Sequence, residues 1–100
     1  MTESIPKTPQ EIIEMGKDRA IRQLKDPNVR DSVLGVYSDL GLLAKTKKVK
    51  DLRVIYLANF MMGEVTKAHE IGITDHLSHS ARVIRKEVHQ LLNSPCPPTK

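Results

Sequence analysis

One hundred residues, 39% of them apolar, are enough for one packed core and too few for a second domain. The lone cysteine, Cys96, excludes an intramolecular disulfide framework, and the polar start MTESIPKTP has neither the basic nor the apolar region of a secretory signal, so a cytoplasmic location is expected. The net charge of +4 resides entirely in Lys45 to Arg53, where Lys45, Lys47, Lys48, Lys50 and Arg53 meet only Asp51. Such a cluster either attracts a polyanion or keeps a loop solvated.

Residues 1–7 read as a flexible N-terminus, after which Thr8-Pro9-Gln10-Glu11 signals a helix start. Thr8 can cap the open amides, proline loses nothing at the first helical position, and Glu11 can reach back. Ile13, Gly16, Ala20 and Leu24, widened by Ile12 and Ile21, recur at steps of three and four and predict an amphipathic helix over 9–25. Asp26-Pro27 stops it and starts the next, with Asp26 as cap.

The second helix is predicted over 27–44, with Val29, Val33, Val36, Leu40 and Leu43 as its buried face, Leu34 and Tyr37 widening it, and Gly35 and Gly41 offering close helix contact. The lysine segment then connects to a third helix over 51–71. That helix is apolar nearly all round from Leu52 to Met62, which predicts a central place in the bundle, with a kink or break near Gly63. Its longest apolar run, Val54 to Ala58, falls far short of the ~20 residues of a membrane span, so no membrane partner is expected. Gly72 suits a left-handed helix end with Ile73 folding back, and Thr74 is placed to cap a fourth helix over 74–93. Leu77, Ala81, Ile84, Val88 and Leu91 form its core face. Residues 94–100, with Pro95, Pro97 and Pro98, read as a mobile tail whose composition also resembles a polyproline II ligand. The expected fold is all-α, a compact small bundle or orthogonal array of about four helices forming one domain.

Glu64 to Val88 imitates a helix-turn-helix reader. Counted from Glu64, Ala68 takes the small position, Gly72 the turn, and Ile71 and Ile73 the flanking apolar sites. Lys67 and Ser78 stand where apolar residues are expected, and an ordinary αα-hairpin would give the same helix-turn-helix outline. The outward stripe of the last helix carries His79, Arg82, Lys86 and His89 with Arg85 alongside, a set suited to phosphates and guanine edges or simply to a solvated face.

His69, His76, His79 and His89 suggest a metal, but a structural zinc site wants four ligands and there is no second cysteine, so solvated histidines and no metal or cofactor are expected. Ser78 and Ser80 near His76 lack a nucleophile elbow, and no glycine-rich phosphate loop occurs, so no enzyme is expected. These readings converge on a non-enzymatic DNA-binding or nucleic-acid-associated regulator or accessory protein. It would contact double-stranded DNA through Lys45, Lys47, Lys48, Lys50, Arg53, His79, Arg82, Arg85 and Lys86. The alternative is a protein-interaction module or adaptor in which the apolar third helix and an outward Val83 meet a second copy or another helical protein.

Overall fold

The computed structural model describes residues 8–93, which form four helices: α1 (Pro9–Gln23), α2 (Pro27–Thr46), α3 (Asp51–Ile71) and α4 (Asp75–Asn93). No strand occurs among the described residues, and the expected all-α bundle is the observed fold. The N-terminal segment 1–7 and the proline-rich tail 94–100 with Cys96 lie outside the described residues.

The caps explain where α1 and α2 begin. The Thr8 hydroxyl accepts from Glu11 N at 3.2 Å while the Glu11 carboxylate accepts from Thr8 N at 3.3 Å, a complete capping box. Asp26 accepts from Asn28 N at 2.9 Å, and Pro27 follows at the first helical position. At α4 the expectation differs in detail: the Thr74 backbone carbonyl, not its hydroxyl, accepts from Leu77 N at 3.0 Å. The end of α3 is as expected, with Gly72 at φ 76° and its N–H donating to Ala68 O at 2.8 Å. Ile73, however, does not fold back and stays exposed.

α2 and α3 each pack against the other three helices, whereas α1 and α4 do not meet. The predicted faces of α2 and α4 are buried from Val29 to Leu43 and from Leu77 to Val88, while Leu34 and Leu91 at their margins are only half-buried. On α1 the stripe Ile12, Ile13, Gly16, Ala20 and Leu24 is buried, but Ile21 points to solvent. α3 runs unbroken from Asp51 to Ile71 through Gly63, so the helix does not break there. Its all-round apolarity is not matched by all-round burial: Val54, Leu57, Ala58, Met61, Met62 and Val65 enter the core while Leu52, Tyr56 and Phe60 remain outside. α2 extends two residues further than expected and ends at Lys47 in a left-handed conformation (φ 60°). Lys45 therefore sits on a helix, and the true connection is only 47–50.

One contact between α1 and α2 was not foreseen. The Tyr37 ring is fully buried and lies against Gly16, where a Cβ would come within 2.4 Å of ring carbons. Gly41 has open space instead of a helix neighbour. Alanine at position 16 would gain ~1 kcal/mol of helix propensity. It would also force a caged ring to move, which costs ~1–3 kcal/mol or more in a packed core. Gly16→Ala is therefore expected to lower the denaturation midpoint, whereas a raised midpoint would show that the ring yields freely.

Burial pushes the Tyr37 phenol far above its ordinary value of 10.0, against a smaller downward pull from the Arg19 guanidinium. The folded state keeps this proton at pH values where the unfolded phenol has lost it. Tyr37 thus leaves stability unchanged below about pH 10 and lowers it progressively above. Alkaline denaturation should be less steep in Tyr37→Phe than in the parent; identical profiles above pH 10 would show that the ring becomes solvated without unfolding.

Candidate nucleic-acid interface

Successive residues on an α-helix turn by about 100°, so Arg82, Lys86 and His89 share one stripe of α4 and Arg85 lies at its edge toward α2. Together with Ser78, and with Ser32 across on α2, these residues line an open groove of about 1060 Å³. Among the described residues no carboxylate lines it. Of the expected site residues the groove gathers Arg82, Arg85 and Lys86; His79 is exposed on α4 but does not line it.

The groove is held from below by a residue the sequence reading passed over. Asp39 is the one charged residue buried among the described residues, at 9% exposure. Its Oδ2 accepts from Arg85 Nε at 2.9 Å and lies 2.8 Å from His89 Nε2; a carboxylate only accepts, so that ring nitrogen carries the proton. Arg85 can lie this close because Gly35 presents no side chain, and a Cβ there would approach the guanidinium to 3.0 Å. Arg85 therefore does not project freely from α4 as expected, and His89 is not merely solvated.

The lysine segment forms a separate patch. Lys47 pairs with Asp51 at 3.8 Å, Lys48 Nζ donates to the Leu92 carbonyl, and Arg53 pairs with Glu87 on α4. Lys45 and Lys50 are exposed and pair with no carboxylate among the described residues. The grooves of the two patches share no lining residue. Lys86 also borders a smaller hollow with Glu87, the ion-pair partner of Arg53.

His79 is exposed, whereas His76 is half-buried. His76 faces Glu64 at 3.5 Å, where the Ser80 hydroxyl also donates to the same carboxylate oxygen at 3.3 Å, closing the turn between α3 and α4. Among the described residues no three or more His, Cys, Asp or Glu side chains gather as metal ligands. No helix among them is long and apolar enough to cross a membrane.

Fold and site define a small four-helix protein with a cationic groove between α2 and α4. Comparison with protein-family models, curated proteins and solved structures finds no match.

The Asp39 pairs allow a direct test of how α4 is fixed. Arg85 and His89 side chains are 43% and 52% exposed, so water screens both interactions. Asp39→Ala is expected to cost about 1–2 kcal/mol by urea denaturation, well short of the loss for a fully buried pair. An unchanged midpoint would show that packing alone holds α4 on α2.

Proposed function

We propose that the chain is a non-enzymatic, cytoplasmic DNA-binding accessory protein that holds duplex phosphates along α4. The observation that carries this reading is the α2/α4 groove, with Arg82 and Lys86 exposed one turn apart and unpaired with any carboxylate among the described residues. Ser32 and Ser78 add neutral donors, and the Asp39 contacts hold Arg85 and His89 in place beside the two freer cations. A guanidinium and an ammonium spaced in this way can contact neighbouring phosphates, and Arg82 can also reach a guanine edge. The left-handed Gly72 turn joining α3 to α4 keeps a helix-turn-helix outline, but Ile71 and Ile73, matched to its flanking apolar sites, are exposed, so the reading rests on the groove.

A second reading, a protein-interaction module, is favoured by the exposed α3 stripe. Leu52, Tyr56 and Phe60 follow at steps of four and are 75%, 62% and 45% exposed. Isolated exposed apolar residues are ordinary, but three in one row form a patch. A second copy or another helical protein could cover it.

The DNA reading is tested with Arg82→Ala/Lys86→Ala, two exposed positions whose change should leave stability within about 0.5 kcal/mol per site. Fluorescence anisotropy on a short duplex at several salt concentrations should show weaker binding and a log K against log salt slope flatter by ~1.8, at ~0.9 per lost phosphate contact. Equal affinity and slope in the folded variant, or no parent binding at low salt, would overturn it.

A further inference from the structure

We propose that the lysine patch and the start of α3 form a docking site for an acidic, amphipathic helical segment of a partner protein. The proposal rests on the interaction reading above, and gives it a partner chemistry. The site is a shallow groove of about 650 Å³ lined by Lys48, Val49, Lys50, Leu52, Arg53 and Tyr56. Its composition differs in kind from the α4 groove. There cations stand among serines; here they surround Leu52 and Tyr56, both more than half exposed, with Phe60 continuing the row along α3. A phosphate backbone gains nothing from leucine or from the apolar ring of tyrosine, whereas a helix with an apolar face and flanking carboxylates uses both features.

The groove is also preorganised. The Thr46 hydroxyl donates to Leu43 O at 2.7 Å and accepts from Lys48 N at 3.2 Å, Lys47 closes α2 in a left-handed conformation, and Lys48 is tied to the Leu92 carbonyl. A fixed loop loses little freedom when a partner binds.

Charge selects the occupant. A two-fold contact places the same patch on both sides of an interface, so a second copy would bring Lys45, Lys47, Lys48, Lys50 and Arg53 against their equivalents. Lys47 and Arg53 already pair with Asp51 and Glu87 of this chain, and Lys45 and Lys50 still have no carboxylate among the described residues. An acidic partner supplies them, and its apolar face covers Leu52 and Tyr56.

The full chain is titrated into a fluorescein-labelled synthetic helical peptide with one leucine face and glutamates elsewhere. Saturable binding is expected, weakened about tenfold or more by Leu52→Ser/Tyr56→Ser, as for the central apolar contacts of an interface. Lys45→Gln/Lys50→Gln should weaken it severalfold and reduce its salt dependence. All four positions are exposed, and circular dichroism confirms that each variant is folded. No saturable binding by the parent overturns the proposal, as does equal binding of a peptide whose leucines are replaced by serine. Two parallel measurements identify the other occupants. Sedimentation showing self-association lost in Leu52→Ser/Tyr56→Ser assigns the face to a second copy: the interaction reading stands and this proposal falls. Phosphatidylserine vesicles that bind through Leu52 and Tyr56 while the peptide does not assign it to a membrane surface, and the proposal falls likewise. If the double variant changes neither sedimentation nor peptide nor vesicle binding, the interaction reading falls with it.

Discussion

Asp39 lies on the buried side of α2, between Val36 and Leu40, where an ionised group without partners would cost several kcal/mol. Both partners come from α4. Arg85 and His89 stand four residues apart, so a single carboxylate oxygen fixes not only how close α4 lies but how it is rotated about its own axis. That rotation sends Ile84 and Val88 inward and leaves Arg82 and Lys86 facing water. On the other flank Arg53 reaches Glu87 and sets α4 against α3. This second pair is half exposed, so it contributes alignment more than stability.

Most of the fold was legible because periodicity and capping are local signals. The Thr8 capping box, the Asp26-Pro27 break, the Gly72 turn and the buried stripes of α2 and α4 needed no knowledge of what packs against them. What was illegible depended on a neighbour. Ile21, Leu52 and Phe60 match an apolar pattern, yet whether they are covered depends on how many helices surround them, and in a chain this short there are too few. Gly63 invited a break, but one weak propensity is easily overridden by the packing of Met61, Met62 and Val65 on either side. Ile73, expected to fold back over the turn, is instead 53% exposed.

The candidate site was legible in part. The stripe of cations on α4 could be drawn from the sequence, but charge counting treats every lysine and arginine as equal. The structure distinguishes them by what they already hold: Arg85 is committed to Asp39, Arg53 to Glu87 and Lys48 to the end of α4, while Arg82, Lys86, Lys45 and Lys50 stand outside the ion pairs. A signal for Asp39 was available. It stands three residues after Val36 and four before Leu43, on the apolar face of α2, and an acid in such a place predicts a cation from whichever helix covers it.

The two tyrosines occupy opposite environments, and the chain has no tryptophan to mask them. Tyr37 is sealed against Gly16 between α1 and α2, whereas Tyr56 stands in water beside the lysine patch. Their intrinsic emission is therefore two signals in one spectrum. A soluble quencher such as iodide, concentrated by the neighbouring cations, should reach Tyr56 and spare Tyr37, so the quenchable part reports on what occupies the surface while the protected part reports on the integrity of the core.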